Sequence, residues 1–296
     1  MLYLIDASVF IFRAYYSVPI DVADRDGNPV NAVHGFARFL GELLEAEMPQ
    51  HIAVAFDESL EQSYRTEIYP AYKANREPAP YELKRQFGLC REICKALGLA
   101  QYGSSRYEAD DIIGTLALRA QAAGIPVTIV SRDKDLTQLL SVNDTYWDAI
   151  ANVRYRHGDI EERFGATPER MADFLALMGD AVDNIPGVPG VGRKTAQKLL
   201  KHFGTLPAVF ENLESVKTLK FRGASFVADS LREHREKAFL SRKLTGIACD
   251  MPLACEFGDT RRRRPDLAML DALCEAQNFG RMLRDQGRRI YARCPA

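Results

Sequence analysis

Nine acidic side chains are conspicuous because of their positions in the sequence. Three apolar runs, at 2–7, 51–57 and 126–133, each reach an aspartate where they end. Such runs predict buried strands, and the carboxyl ends of parallel strands meet at one edge of a sheet. The other acids cluster at 108–111 or lie in two further loops. The set is Asp6, Asp57, Glu108, Asp110, Asp111, Asp133, Asp135, Asp180 and Asp183.

This acid set predicts a metal site. A single aspartate at a strand end is ordinarily a turn residue or a helix N-cap, and the helix dipole favours acids in a first turn. Three acids within 108–111 nevertheless repel one another unless cations lie between them. Oxygen ligands without histidine or cysteine favour Mg²⁺ or Mn²⁺ over zinc, and nine of them indicate two ions. A two-metal site suits in-line displacement at phosphorus.

A basic element directly follows the last acids. Residues 186–201 read PGVPGVGRKTAQKLLK, and no acid occurs between Asp183 and Glu211. This pattern is typical of a helix-hairpin-helix, in which glycines let the backbone approach a phosphate and the next helix supplies charge. The alternative is two helices joined for packing alone. The predicted phosphate-binding residues are Gly190, Gly192, Arg193, Lys194 and Lys198, with Lys201 on the same helix.

A second basic element lies at 63–76 and reads SYRTEIYPAYKANR, which interleaves three tyrosines with three cations. Aromatic rings can stack on unpaired bases, and cations can contact the phosphate that is cut. The alternative is a solvated surface helix with buried tyrosines. Pro70, Pro78 and Pro80 predict an irregular loop structure in place of one continuous helix.

The elements that must position these residues alternate along the chain. Helix-period segments at 32–47 and 108–124 lie between the three predicted strands, and the second ends in glycine. Strands that alternate with helices predict an α/β fold, with a mostly parallel sheet flanked by helices on both faces.

Composition limits the class of protein. The 296 residues are 47% hydrophobic and 27% charged, as in globular proteins, and the net charge of −1 gives no overall attraction to polyanions. The sequence contains no apolar run of membrane-spanning length, and Asp6 comes too early for a signal peptide. The six cysteines have no zinc spacing and predict reduced thiols, with Cys90 and Cys94 used in packing. We therefore expect a cytoplasmic protein that does not enter a membrane.

Several motifs occur in an order that resembles the bacterial and phage 5′ nucleases, a family that includes flap endonucleases and the 5′-nuclease domain of DNA polymerase I. They are LIDASVFIFRAYYSVP, GNPVNAVHGFARFL, AVAFDE, YRTEIYPAYKANR, YEADDIIGTLA, SRDKDLTQLL and GDAVDNIPGVPGVGRKTAQKLL, between Met1 and about residue 245. The resemblance implies a PIN-like domain at 1–165 with a helical arch at about 60–90. A helix-hairpin-helix and C-terminal helical region at 166–296 would follow.

The resemblance also implies roles for particular residues. The nine acids would bind two Mg²⁺ or Mn²⁺ ions, while Tyr72, Lys73 and Arg76 would lie near the scissile phosphate. Arg13 and Arg65 would join the hairpin residues as DNA contacts. Related enzymes hold a potassium ion in the hairpin, which here would be bound by the backbone carbonyls of Leu177, Met178, Pro186, Val188 and Val191.

The function implied is that of a free-standing, monomeric 5′→3′ exonuclease and flap endonuclease. It would act on DNA 5′ ends and on 5′ flaps, with a bacterial, nucleoid-associated role; whether RNA primers are also substrates stays open. Two other classes stay open. A DNA-structure-binding protein with little catalysis would lack a complete acid set, and a PIN-like ribonuclease would lack the hairpin. The RRRR run at 261–264 predicts a solvated surface or an additional duplex contact.

Overall fold

The computed structural model describes residues 1–58 and 63–294, in which one six-stranded sheet organises the first half of the chain. The strand order is β3-β2-β1-β4-β5-β6; the first five strands are parallel and β6 pairs antiparallel with β5. The strands are β1 Leu2–Asp6, β2 His51–Asp57, β3 Ala100–Ser104, β4 Val127–Val130, β5 Thr145–Asp148 and β6 Val153–Arg156. This architecture confirms the predicted α/β fold.

The two faces of the sheet form two hydrophobic cores because successive side chains of a strand point in opposite directions. In β1, Leu2 and Leu4 belong to one core, and Tyr3 and Ile5 belong to the other. A strand buried on both faces must be apolar throughout, which explains why the sequence shows continuous runs without polar alternation.

Helices cover both faces. The helices of the first half are α1 Ala7–Ser17, α2 Asn31–Glu47, α3 Tyr64–Ile68, α4 Tyr81–Ala96, α5 Ala109–Ala122 and α6 Ile160–Phe164. Short 3₁₀ turns lie at Lys134–Leu139, His157–Asp159, Pro168–Arg170 and Phe257–Thr260. The bounds of α2 and α5 agree with the predicted segments, and Gly124 adopts the left-handed conformation just beyond α5.

The segment predicted as an arch divides into two parts. Residues 60–62 lie outside the described residues; from Ser63 onward the chain forms α3 and then turns through 69–76. Helix α4 instead packs against α2, and it buries Leu83, Cys90 and Ile93 in a sheet core. The structure therefore makes α4 part of a sheet core, unlike the turns that precede it.

The second half of the chain is helical. Its helices are α7 Met171–Met178, α8 Arg193–Phe203, α9 Leu206–Glu211, α10 Leu213–Lys217, α11 Ala224–Glu233, α12 Arg235–Thr245, α13 Leu267–Ala276 and α14 Arg281–Arg293. After α12 the chain returns to the first half, where the amide nitrogen of Arg263 donates to the carbonyl of Gly98 at 2.9 Å. Helices α13 and α14 then pack against α4 and α2, and they contribute Leu270, Cys274 and Ile290 to a sheet core.

Two further expectations can be compared with the structure. All six cysteines are free, and Cys90 and Cys94 are completely buried, which agrees with a packing role. Among residues 1–58 and 63–294, no helix is long and apolar enough to cross a membrane.

Candidate active site

The carboxyl edge of the sheet brings together aspartates from three neighbouring strands. Asp6 ends β1, Asp57 ends β2, and Asp133 follows β4 by three residues. Because β1 lies between β2 and β4 and all three are parallel, these carboxylates lie on one edge. The hydroxyl of Ser131 donates to Asp6 at 2.8 Å, and that of Ser8 donates to Asp57 at 2.6 Å. The two hydroxyls hold the strand-end carboxylates in place.

The first turn of α5 adds two acids to this edge. Glu108 is the N-cap residue and Asp110 lies in the first turn, where the helix dipole favours negative charge. The amide nitrogen of Ala109 donates to a carboxylate oxygen of Asp57 at 2.9 Å, so the start of α5 is joined directly to the end of β2. The helix and the sheet therefore place their acids against one another.

This closeness is visible in the electrostatics. Burial, with the nearby charges of Asp57 and Asp133, raises the pKa of Asp6 to about 7. Burial and the charges of Asp133 and Asp6 raise the pKa of Asp110 well above its ordinary value, and burial also raises that of Asp133. Charged carboxylates at these positions are therefore costly, and a cation between them would remove that cost.

A second group of acids comes from the loop after β4 and the loop after α7. Burial, with the charge of Asp133, raises the pKa of Asp135 to about 7. The ammonium of Lys134 lies 2.6 Å from Asp180 Oδ2 and 3.3 Å from Asp135 Oδ1. Burial alone would raise the pKa of Asp180, but the hydrogen bond from Lys134 lowers it. Lys134 thus lies between two predicted metal ligands.

Three predicted catalytic residues reach the acids from the turn after α3. Lys73 Nζ lies 2.5 Å from Glu108 Oε2, and the Arg76 guanidinium forms an ion pair with Asp183. The Tyr72 hydroxyl is 3.3 Å from Glu108 Oε2 and 3.4 Å from Asp183 Oδ2. The amide nitrogen of Lys73 also donates to the carbonyl of Asp183 at 2.9 Å, and Lys73 adopts a left-handed φ of 54°. A residue held in this sparsely populated region is typical of functional sites.

The structure corrects the interpretation of Arg65 and Asp111. The Arg65 side chain is 3% exposed, and its two terminal nitrogens donate to the two carboxylate oxygens of Asp111, both at 2.7 Å. Arg65 also donates to the carbonyls of Leu244 and Gly246. A side chain buried in this way cannot contact DNA without breaking the pair. Arg65 therefore links α3 to α5 and to the end of α12.

Asp111 is saturated in the same arrangement. Besides the two bonds from Arg65, its oxygens accept from the amide nitrogens of Glu108 at 3.1 Å and Ala248 at 2.9 Å. A carboxylate has about four lone-pair sites, so none remains for an ion. Asp111 was predicted as a metal ligand from its place among the acids, but its neighbours give it a structural role.

The remaining acids fit hard divalent ions. Within the described residues no three potential ligands already surround a common point, and cations from the chain pair with several of the oxygens. Asp135 Oδ1 is nevertheless buried without a hydrogen bond, with only the ammonium of Lys134 near it at 3.3 Å, and the potential metal ligands are all oxygens. The residues that could hold the ions are Asp6, Asp57, Glu108, Asp110, Asp133, Asp135, Asp180 and Asp183.

The predicted phosphate-binding hairpin contains two glycines whose surroundings differ. Gly190 has a φ of 80°, and a Cβ there would lie 2.6 Å from the ring of Phe226. Gly192 caps α8 without a side-chain cap and has open space around it. The side chains of Lys194 and Lys198 are exposed on α8, whereas Arg193, also exposed, donates to the carbonyl of Arg163. Arg13 is exposed on α1, seven residues after Asp6.

The predicted potassium-binding carbonyls lie where the end of α7 meets the hairpin. The amide nitrogen of Val188 donates to the carbonyl of Leu177 at 2.9 Å, and that of Val191 donates to the carbonyl of Val188 at 3.0 Å. A Cβ at Gly187 would lie 2.4 Å from the backbone nitrogen of Gly179, so the two segments are in close contact. Carbonyls with one protein donor keep a second lone pair, and the potassium site stays a prediction.

Three residues at the site were not singled out from the sequence. Ser8, Ser131 and Lys134 each lie within two residues of a predicted ligand. Their closeness in sequence to Asp6, Asp133 and Asp135 was a signal that they lie at the site, but the carboxylates that Ser8 and Ser131 contact are distant in sequence.

The chain matches two family models. Residues 1–165 match the 5′-3′ exonuclease N-terminal resolvase-like domain, and residues 166–268 match the 5′-3′ exonuclease C-terminal SAM fold. Among curated proteins, DNA polymerase I of Bacillus caldotenax is 40% identical over 94% of this chain and 31% of its own length. That of Rhizobium leguminosarum is 42% identical over 85% of this chain and 25% of its own. The chain spans between a quarter and a third of these relatives.

Solved structures share the fold. The bacteriophage T5 D15 protein, co-crystallised with metal ions, aligns with a TM-score of 0.66 at 19% identity and covers 98% of both chains. The catalytic core of Rad2, in complex with a DNA substrate, aligns with a TM-score of 0.63 at 16% identity over 97% of this chain and 90% of that one.

Proposed function

The chain belongs to the 5′-3′ exonuclease family, and on that premise we propose that it is a metal-dependent 5′→3′ exonuclease and flap endonuclease that acts on DNA. The observation that supports the proposal is that Lys73, Arg76 and Tyr72 contact the acids at the carboxyl edge of the sheet. The acids can bind cations, and the two basic side chains beside them can bind a phosphate.

Two Mg²⁺ or Mn²⁺ ions, when bound, would activate a water for attack and offset charge on the leaving 3′ oxygen. Asp6, Asp110 and Asp133 would hold one of them, because they share the carboxyl edge of the sheet and the charges of Asp133 and Asp6 raise the pKa of Asp110. Asp135, Asp180 and Asp183, with Lys134 displaced, would hold the other. Asp57 and Glu108 would complete the ligand set.

Lys73 and Arg76 would bind the phosphate that is cut. Lys73 now pairs with Glu108 and Arg76 with Asp183. When a phosphate and its metal ions bind, the two basic side chains would pair with the phosphate and the two acids with the ions. Positive groups placed at the developing charge commonly contribute about 10²- to 10³-fold to a rate. The Tyr72 hydroxyl, hydrogen-bonded to Glu108, would keep the turn in position.

DNA would be held through its backbone. The amide groups at Gly190 and Gly192 and the charges of Lys194 and Lys198 would contact duplex phosphates, with a potassium ion in the hairpin. Contacts of this kind do not depend on base identity, so the enzyme would select 5′ ends and 5′ flaps by shape. RNA primers on DNA would be cut by the same chemistry.

The test uses three substrates labelled at the 5′ end: a flap, a nicked duplex and an RNA-primed duplex. With Mg²⁺ we expect short 5′-phosphate products from all three, and with EDTA we expect none. Binding of the flap without cleavage in Mg²⁺ would indicate a DNA-structure-binding protein. Cleavage of single-stranded RNA alone would indicate a ribonuclease.

A further inference from the structure

A basic recess lies at the far end of α8 from the hairpin. Its cavity of about 260 Å³ is formed by the last turns of α8 and the loop between α10 and α11. No acidic side chain lines it; the lining residues are Lys198, Lys201, His202, Leu219, Lys220 and Phe221. Nothing in the sequence marked this loop as part of a binding surface.

The lysines of the recess have no acidic partners. Lys198, Lys201 and Lys220 are exposed, and none forms an ion pair with another residue in the described part of the chain. In the same region Lys217, by contrast, pairs with Glu214 at 3.1 Å. Three uncompensated cations around one concave surface create a positive potential that favours an anionic partner.

The recess continues the predicted phosphate grip along one face of α8. Lys194, Lys198 and Lys201 have the spacing i, i+4 and i+7, which puts them on one side of a helix, while Leu199 and Leu200 are buried on the other. With a rise of 1.5 Å per residue, this lysine row is about 10 Å long. Duplex DNA carries one negative charge per about 1.7 Å of its axis, so a duplex segment as long as the lysine row carries about six phosphate charges.

Phe221 fixes the shape of the recess. Its partly buried ring packs with the hydrophobic core, and the ammonium of Lys198 lies 5.7 Å from the ring centroid. The ring therefore anchors the loop that carries Lys220 beside α8. A cation held near an aromatic face keeps its charge available to a second, anionic partner.

We propose that Lys201 and Lys220 of this recess bind two neighbouring backbone phosphates of duplex DNA, as a second contact about 10 Å along α8 from the hairpin. The proposal rests on the proposed function, since it extends the grip on the same DNA. The lining favours this occupant over a drug-sized molecule, because three of its six side chains are lysines and pockets for such molecules usually measure roughly 300–1,000 Å³. Lys201, His202 and Lys220 become DNA-binding residues.

The test compares salt titrations of DNA binding, measured by fluorescence anisotropy in Ca²⁺ with a blunt duplex and with a 5′ flap. In the Lys201→Ala/Lys220→Ala variant, loss of two phosphate contacts should flatten the slope of log K against log salt by about two. Between 50 and 200 mM salt, wild-type affinity should therefore fall about tenfold more than that of the variant.

The control variant is Lys237→Ala/Lys243→Ala, which removes the same charge from exposed positions on α12 outside the recess. It should keep the wild-type slope. If wild type binds with a steep slope and the recess variant keeps it, the recess is only a solvated surface and the proposal fails. If wild type itself shows no salt-dependent binding, the proposed function fails with it. Equal flattening in both variants would show a non-specific effect of net charge and would also overturn the site.

Discussion

The pair formed by Arg65 and Asp111 gives a sharp test of the structure. Both side chains are almost completely buried, at 3% and 0% exposure, and they share two hydrogen bonds of 2.7 Å. Arg65→Met would leave Asp111 as a buried charge without its partner, which typically costs about 3–5 kcal/mol. At roughly 2–4 °C per kcal/mol for a domain of this size, the midpoint of thermal unfolding should fall by about 10 °C.

Circular dichroism during heating measures this change, and two further variants interpret it. Arg65→Met/Asp111→Asn removes the unpaired charge and should recover much of the loss. Arg106→Ala breaks the Arg106–Glu67 pair, whose side chains are about half exposed, and should cost less than about 1 kcal/mol. If Arg65→Met unfolds within 1 °C of wild type but flattens the salt slope of DNA binding, Arg65 is a surface DNA contact and the buried pair is wrong.

Three further predictions concern the acids and the C-terminal helices. The raised pKa of Asp6 means that the native state keeps a proton that the unfolded chain loses between about pH 4 and 7, so stability without metal should fall across that window. Asp6→Asn should therefore gain in melting temperature relative to wild type as pH rises; a constant difference would contradict this. Lys134→Met should bind Mg²⁺ more tightly in calorimetry without DNA, while Lys134→Arg should not; equal affinities would exclude competition between Lys134 and the ion. Truncation after residue 268 should lower the melting temperature by more than 10 °C, because Leu270 and Ile290 lie in a sheet core; a smaller change would mean that α13 and α14 are dispensable for folding.

Much of the fold could be predicted from local patterns. The continuous apolar runs of β1, β2 and β4 and the helical periodicity of α2 and α5 are properties of short segments. Their order along the chain then predicts a parallel sheet with its acids on one edge. The structure confirms this architecture, and the roles of the individual acids stay predictions.

The features that the sequence alone could not predict depend on contacts between residues that are far apart in the chain. Arg65 contacts carbonyls of Leu244 and Gly246, about 180 residues away, so its burial has no local signal. Asp111 resembles its acidic neighbours in sequence and differs from them through its contacts with Arg65 and with the amide nitrogens of Glu108 and Ala248. Helix α4 was grouped with the arch because its role in the core depends on α2, which lies earlier in the chain. The basic recess likewise needs two segments that only the fold brings together.

The central claim is that the acids at the carboxyl edge bind the ions that cut DNA. Single-turnover cleavage of a 5′ flap by Asp110→Asn at saturating Mg²⁺, with binding measured separately in Ca²⁺, tests it most directly. Asp110 lies in the first turn of α5, where burial and the charges of Asp133 and Asp6 raise its pKa. We predict that cleavage is lost while DNA affinity stays within a few-fold of wild type or increases, because a negative charge facing phosphate is removed. Wild-type cleavage by a folded Asp110→Asn variant would contradict the account.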